Sequence, residues 1–225
     1  MKNIYLKFLL LFLLATPALA QEQPTEKKNK DIYTTTSGEW IFSTANIERE
    51  TTMRFSPFFN LQTMLSFDQS KSFGFFTGLA IRNVGFIFDT SEAVRKKVRT
   101  YNIGIPVGFK IGDMEKTFLY GGYELEIPIN YKEKTFIDEE KEDKFNVWFS
   151  DRTNPIFHTF MVGIQFAGGT NLKFKYYLTE FFNQDFEATD SNGNRYKPYK
   201  GLDANIFYFS LCFELFKDSE FYYRK

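Results

Sequence analysis

The chain has 225 residues, and its 28 Lys or Arg residues balance 28 Asp or Glu residues, so the formal net charge is zero. This balance lacks the basic excess of nucleic-acid-binding proteins, so no nucleic-acid partner is expected, and a single cysteine excludes an internal disulfide framework. Aromatic residues make up 20% of the chain although its mean hydropathy is −0.34. No segment after residue 20 reaches the roughly 18 consecutive apolar residues of a membrane-spanning helix.

The N-terminal segment has the pattern of a secretory signal peptide. Lys2 and Lys7 make its start basic, residues 8–15 are an apolar run, and residues 17–20 end in a small-x-small pattern. We expect cleavage after Ala20, which leaves residues 1–20 as the signal peptide. Residues 21–37 are rich in Lys and Glu and lack apolar residues that could pack, which predicts a disordered periplasmic tether. Residues 38–225 are predicted to form one barrel domain.

This barrel region alternates apolar and polar residues, most clearly at residues 206–215. There Phe207, Phe209 and Leu211 fall on one face, and Ser210 and Cys212 fall on the other. Such alternation predicts β-strands with one apolar and one polar face. The predicted strands are residues 39–45, 55–67, 73–88, 100–111, 118–132, 157–166, 171–182 and 206–215.

Short and long connections alternate between these predicted strands. The short ones, residues 68–71, 112–116 and 167–170, contain the Gly, Asp and Ser typical of turns. The long ones are residues 46–54, 89–99, 133–155 and 185–201. This pattern predicts an all-β fold: an eight-stranded antiparallel transmembrane β-barrel of the outer membrane, with short periplasmic turns and long extracellular loops.

A soluble periplasmic ligand-binding barrel is the alternative, because it would show the same periodicity with the two faces reversed. Glycines on the polar faces of two predicted strands favour the membrane barrel, since small side chains suit the crowded interior of a narrow barrel. These glycines are Gly74, Gly78, Gly104 and Gly108.

Two short segments resemble a known family. Residues 101–110 read YNIGIPVGFK and residues 125–129 read LEIPI. An Ile-Pro core followed by a basic residue resembles the central strand of the small outer-membrane β-barrel proteins of the Bacteroidetes, the PorT-like group. The resemblance implies the fold and the location, and it does not indicate which activity the chain has. Residues 217–225 extend past the last strand, whereas many outer-membrane barrels end there in an aromatic residue. Pro106 and Pro128 in central strands predict local bulges.

Charged side chains on the polar faces are the main candidate functional set. Charges inside a membrane protein are costly unless they are paired or hydrated, and an eight-stranded barrel has room only for side chains. We therefore expect an ion-paired network that fills the interior, with Lys110 contacting Glu124 or Glu126. A narrow pore or small-solute carrier lined by the same groups is the alternative. The predicted network comprises Arg82, Lys110, Glu124, Glu126, Lys173, Lys175 and Glu214.

The longest loop carries a charge run at residues 138–144, followed by Trp148 and Phe149. An aromatic pair on an exposed loop is a candidate contact point for a protein partner, although packing within the loop is the alternative.

His158 is the only histidine, and the serine that lipid A deacylases place two residues later is replaced by Phe160. We therefore expect no enzyme activity, with a lipid-acting hydrolase as a distant alternative.

The segment at residues 190–194 is predicted to be a turn and not a calcium site, because its glycine comes too early for a calcium-binding loop. The sequence predicts no cofactor and no metal. The expected function is structural or interaction-mediating, and the expected partners are outer-membrane lipid and a protein bound through the long loops.

Overall fold

The computed structural model describes residues 32–190 and 192–218, and this part of the chain contains thirteen β-strands. No helix within it is long and apolar enough to cross a membrane. The strands are β1 (Ile32–Asn46), β2 (Thr51–Thr52), β3 (Arg54–Ser56), β4 (Leu61–Asp68), β5 (Phe73–Ser91), β6 (Val94–Gly112), β7 (Phe118–Ile137), β8 (Glu140–Trp148), β9 (Phe157–Gln165), β10 (Thr170–Tyr177), β11 (Ala188–Thr189), β12 (Arg195–Tyr196) and β13 (Asn205–Asp218).

Eight of the strands close into an antiparallel barrel. The order around the ring is β1, β4, β5, β6, β7, β9, β10 and β13, and β13 pairs back with β1. The closing pair runs from Asn46 opposite Asn205 to Thr34 opposite Asp218. Closure satisfies the backbone hydrogen bonds of both would-be edges, as a membrane-spanning sheet requires. The prediction of an eight-stranded antiparallel barrel is confirmed.

The alternation of faces is also confirmed. On β13, Phe209 points outward with 55% of its surface exposed, whereas Ser210 points inward and is 3% exposed. The five outward residues of central β6 each expose 40–53% of their surface: Ile103, Ile105, Val107, Phe109 and Ile111. On the inner face, a Cβ at Gly104 would overlap the Glu124 carboxylate and would lie tightly against the Arg82 guanidinium, at 3.2 Å. Glycine therefore leaves room there for the close approach of charged side chains.

The first strand begins earlier than predicted. Residues 32–37 belong to β1 and pair with β4, so the predicted tether of residues 21–37 is wrong at its C-terminal end. A run of three β-branched threonines favours strand here, and Tyr33 and Ser37 are buried on the inner face. The rest of the predicted tether and the predicted signal peptide lie outside the described residues.

Two of the predicted long loops are mostly strand. The residues between 89 and 99 continue β5 and β6 up to a two-residue turn, and residues 133–148 form a hairpin of β7 with β8. Charge made these segments resemble loops, but a hairpin that extends into water can carry charges on both faces.

The bulge predicted at Pro128 is confirmed by a register shift opposite Tyr101 and Asn102. The bulge predicted at Pro106 is wrong, because the β6–β7 register passes that residue without a shift.

The turns and hairpins divide the barrel into two rims. The short-turn rim carries the β4–β5, β6–β7 and β9–β10 turns together with the start of β1 and the end of β13. The long-loop rim carries the β5–β6 and β7–β8 hairpins and the connections from β1 to β4 and from β10 to β13.

Candidate functional site

The barrel interior contains a layer of charged side chains, which we call the charged layer. Its six members are 0–2% exposed and come from four strands of the barrel wall. Each side chain points inward because it follows the period-two alternation of its strand. The members are Glu39 on β1, Arg82 on β5, Glu124 and Glu126 on β7, and Lys173 and Lys175 on β10.

Arg82 connects the acidic members of the layer. Its Nε lies 3.3 Å from Glu39 Oε2, and its Nη1 contacts the carboxylates of both Glu124 and Glu126. Its remaining nitrogen, Nη2, donates a hydrogen bond of 2.9 Å to Gln62 Oε1. A guanidinium can donate in several directions in one plane, which suits it to a position between three carboxylates.

The two lysines on β10 complete the pairing. Lys175 Nζ lies 2.8 Å from Glu124 Oε2 and also contacts Glu126 Oε1. Lys173 Nζ lies 2.9 Å from Glu39 Oε1 and donates to Gln62 Oε1 at 3.1 Å. Because the two lysines are two residues apart on one strand, both point inward, and they pair with different carboxylates that Arg82 also contacts.

The layer is neutral, since three cations face three carboxylates. Burying an ion is costly by several kcal/mol, and this cost is offset only where the geometry is good and the remaining lone pairs are hydrogen-bonded. Glu126 meets that condition, because Tyr177 Oη and Asn102 Nδ2 each donate to its Oε2 at 2.6 Å. We conclude that the charges form one closed network and are not arranged along an open path.

Sequence reasoning identified five of the six members and missed Glu39. Its inward position follows from the alternation of Ser37, Glu39 and Ile41 with the exposed Trp40 and Phe42. The signal was therefore present in the sequence, but it falls at the start of a strand that was predicted too short. Glu214 was predicted to join the network, and instead it is exposed at the short-turn rim beside Gly169.

Lys110 faces inward as predicted, but the predicted contact with Glu124 or Glu126 is wrong. Its Nζ pairs with the Asp68 carboxylate and donates to Tyr33 Oη at 3.0 Å. Along the β6–β7 pair, Lys110 lies opposite Tyr120, whereas Glu124 lies opposite Pro106. Four residues along a strand span about 13 Å, which is beyond the reach of a lysine.

An aromatic cluster, the aromatic plug, fills the interior between the charged layer and the long-loop rim. Phe181, Phe182 and Tyr199 belong to the connection between β10 and β13 and fold inward. The rings of Phe182 and Tyr199 stack at 4.6 Å, and Phe86 on β5 packs edge-on against Phe181 at 5.3 Å. The plug also includes Phe88, Tyr131, Phe157, Tyr177, Tyr208 and several aliphatic side chains.

Glu133 anchors the plug to the wall. Its carboxylate accepts from Tyr131 Oη and from Tyr199 Oη, and Lys96 Nζ pairs with it at 2.6 Å. Burial, and secondarily the Glu133 charge, raises the pKa of the Tyr199 phenol above its ordinary value. Tyr199 therefore stays a neutral hydrogen-bond donor, which keeps the β10–β13 connection attached to the barrel.

A cavity of about 360 Å³ lies at the opposite end of the interior, at the short-turn rim. Its lining includes Lys110, Tyr120, Asn171 and Lys173. Tyr120 Oη donates to Asn171 Oδ1 at 2.8 Å, which fixes both side chains in the wall. Since Lys173 also pairs with Glu39, the cavity ends at the charged layer.

The predicted contact pair lies on the β7–β8 hairpin. Trp148 is 63% exposed and ends β8, and Phe149 is 74% exposed and follows it with a positive φ of 50°. Neither ring forms an aromatic pair with another described residue.

His158 is exposed on the outer face of β9 and hydrogen-bonds Tyr123, so it lies outside the barrel interior.

The outer surface of the barrel is an apolar belt. Besides the outward residues of β6 it exposes Phe75, Leu119, Phe160, Leu172 and Phe209, all by more than two fifths. A continuous surface of this kind is unfavourable in water and favourable in a lipid bilayer. Closed barrels with an apolar exterior and a polar interior are the β-structures that span outer membranes. The barrel is therefore an outer-membrane protein with paired charges buried inside.

No protein family matches the chain, and no curated protein is similar to it in sequence. Similar solved structures include Ail, the attachment invasion locus protein of Yersinia pestis, at 11% identity and a TM-score of 0.40, over 83% of this chain and 98% of that chain. Neisserial surface protein A is similar at 9% identity and a TM-score of 0.39, over 82% and 97%. The outer membrane protein OprG from Pseudomonas aeruginosa is similar at 9% identity and a TM-score of 0.36, over 83% and 94%. At identities and TM-scores this low, the similarity carries no argument about function, and the fold rests on the strand pairing.

Proposed function

We propose that this chain is a non-catalytic, non-conducting outer-membrane barrel that acts as a scaffold and presents its long-loop rim to a partner outside the cell. The observation that carries the proposal is the double closure of the interior. The charged layer fills one level of the barrel, and the aromatic plug fills a second level nearer the long-loop rim. A pore or carrier would have to separate both sets of contacts to pass a solute.

The β7–β8 hairpin is the part of the rim best suited to a partner. It extends beyond the apolar belt, and one edge of β8 pairs with no other strand in the described chain. An unpaired edge offers backbone hydrogen bonds to an added strand. Trp148 and Phe149 lie at the base of the hairpin, where β8 ends beside the apolar belt, and they supply an exposed apolar contact close to the membrane surface.

The resemblance of residues 101–110 to the PorT-like proteins of the Bacteroidetes supports the small outer-membrane barrel and its location. An export signal at residues 1–20 would deliver the chain to the outer membrane, with the start of β1 at the periplasmic, short-turn rim.

Conductance in planar bilayers tests the closed interior. The purified full chain is expected to insert without steady conductance. The double variant Phe182→Ala/Tyr199→Ala opens the aromatic plug, and it is also expected to stay closed because the charged layer is a separate barrier. Steady single-channel conductance of the unmodified chain would contradict the proposal and favour the pore.

Trypsin accessibility tests the orientation with a matched pair of exposed lysines. Lys141 lies near the tip of the β7–β8 hairpin, and Lys116 lies in the β6–β7 turn with 77% of its side chain exposed. Intact cells should be cut at Lys141 and spared at Lys116, and both sites should be cut once the outer membrane is permeabilised. The opposite result would reverse the orientation.

A further inference from the structure

Five cations form a cluster on the outer surface of β6, β7 and β8, which we call the basic ladder. Its first rung is Arg99 opposite Lys132, and its second is Lys97 opposite Lys134, which in turn lies opposite Lys144. On β6, Lys97 and Arg99 are separated by even numbers of residues from the outward-pointing Ile103, so they point outward as well. The other three cations lie directly opposite these two or opposite each other on β7 and β8, so all five lie on the outer face. Directly opposed like charges destabilise a sheet, so the arrangement calls for a counter-charge.

The chain supplies no such counter-charge within the part that the structure describes. None of the five cations lies within 4.0 Å of a described carboxylate. The nearest candidates are engaged elsewhere, because Glu133 points inward to Lys96 and Asp89 pairs with Arg95 at the next position along the hairpin. Asp143 on β8 accepts a hydrogen bond from the backbone of Lys144.

The ladder lies immediately beyond the apolar belt. Tyr101 lies opposite Asn130, which lies opposite Trp148, and this row separates the ladder from Ile103 and the lipid-facing residues. Tyrosine and tryptophan at the edge of an apolar belt mark the level of the lipid headgroups. Since residues on one face of a strand recur about every 7 Å, the two rungs lie within the headgroup region.

Charge is also sorted along the hairpin. The five cations of the ladder lie next to the belt, whereas the tip, farthest from the membrane, carries Glu139, Glu140 and Glu142 against Lys141. An anionic membrane surface attracts the first group and repels the second. This sorting favours a ligand in the membrane plane over one that approaches the hairpin tip from solution.

We propose that the basic ladder is a docking site for the phosphorylated headgroup of an outer-leaflet glycolipid, which supplies the negative charge that the chain lacks there. This inference rests on the proposed function, because it needs the long-loop rim to face the outside. Phosphate oxygens bind Lys and Arg strongly, and two rungs of cations match a headgroup with more than one phosphate. The cation–π contact of Arg99 with Tyr101, at 5.3 Å, holds the guanidinium at the edge of the belt.

The test uses the full chain in phosphatidylcholine nanodiscs that contain a few mole percent of diphosphoryl lipid A. Lipid that remains on the extracted protein is counted by native mass spectrometry. Lys132→Gln/Lys134→Gln should weaken retention about thirtyfold, since each cation near an anionic lipid surface contributes on the order of 1 kcal/mol. The matched control Arg195→Gln/Lys200→Gln removes two cations from the β10–β13 connection and should change retention less than twofold.

Two further arms identify the source of the phosphate and confirm folding. Dephosphorylated lipid A should not be retained, and an excess of inorganic phosphate should not displace the diphosphoryl form, because free phosphate lacks the lipid anchor that holds the headgroup beside the belt. In phosphatidylcholine alone, Lys132→Gln/Lys134→Gln should be as stable as the unmodified chain or more stable, because it removes like-charge repulsion.

Several results would overturn the inference: equal retention of the dephosphorylated lipid, displacement by inorganic phosphate, or an equal loss in the control variant. If the chain inserts and shows none of the lipid preference, only this inference fails. If the chain does not insert into a bilayer at all, the proposed function fails with it.

Discussion

Replacing Lys175 with Met removes one cation from the charged layer while keeping the length of the side chain. Lys175 is fully buried and contacts Glu124 Oε2 at 2.8 Å and the Glu126 carboxylate. Without it, Arg82 and Lys173 face three buried carboxylates, so one negative charge has no counter-charge. Removing one partner from a buried pair costs about 3–5 kcal/mol, and we expect a loss in that range.

The double variant Lys175→Met/Glu124→Gln restores neutrality to the layer, because two cations then face Glu39 and Glu126. We expect it to be more stable than Lys175→Met alone by about 2 kcal/mol or more, since replacing both partners is far less costly than removing one. The assay is urea unfolding in lipid vesicles, followed by tryptophan fluorescence.

The control is Lys116→Met, which changes an exposed lysine whose pair with Asp113 spans 3.6 Å. A change of less than about 0.5 kcal/mol is expected there. If the single and double variants lose equal stability, the carboxylates of the layer do not depend on Lys175, and the assignment of one closed network is refuted.

Three further predictions use the same unfolding assay. Gly104→Ala should cost about 1–3 kcal/mol because its Cβ would overlap the Glu124 carboxylate, which Arg82 and Lys175 hold in place, whereas Gly121→Ala, whose nearest atom is 3.7 Å away, should cost far less. Leu211→Arg should cost about 2–4 kcal/mol because Leu211 faces lipid, and an unchanged stability would argue against the belt. Lys110→Met should cost about 1–3 kcal/mol, less than Lys175→Met, because Asp68 is 12% exposed near the rim and can be hydrated.

The faces of the strands could be predicted from the sequence because the pleat allows only one pattern. Successive side chains point to opposite sides, so Phe207, Phe209 and Leu211 share one face whatever the rest of the chain does. The number of barrel strands followed from the same periodicity. The inward direction of Arg82, Glu124, Glu126, Lys173 and Lys175 followed once the apolar face was assigned to lipid.

The partners of these charges could not be predicted, because they depend on register. Lys110 and Glu124 lie on adjacent strands, but their heights differ by four residues, and Lys110 instead reaches Asp68 on β4. Arg82 and Lys173 bind Glu39 across the barrel lumen, a contact between strands that are far apart in sequence. The alternation of apolar and polar residues within one strand shows which side chains point inward, but it does not show how far apart side chains on different strands lie.

The aromatic plug was missed for a different reason. Phe181 and Phe182 were assigned to a strand at residues 171–182, but β10 ends at Tyr177 and the chain turns inward. Their burial is set by the opposing Phe86 and Tyr199 and not by any periodicity of their own. Irregular segments that pack into a barrel mouth leave no repeating pattern in the sequence.

The interior is poorly suited to binding an anion, because the cation that lines its cavity is already paired with a buried carboxylate. Lys173 lines the rim cavity, but its Nζ also holds Glu39 Oε1 at 2.9 Å. An anion that entered the cavity and recruited Lys173 would leave the buried Glu39 with Arg82 alone, and the loss of one buried partner is costly. The basic ladder has no such competition, because its cations lack partners among the described carboxylates. Binding of an anionic ligand is therefore less costly on the outer surface of this barrel than in its interior.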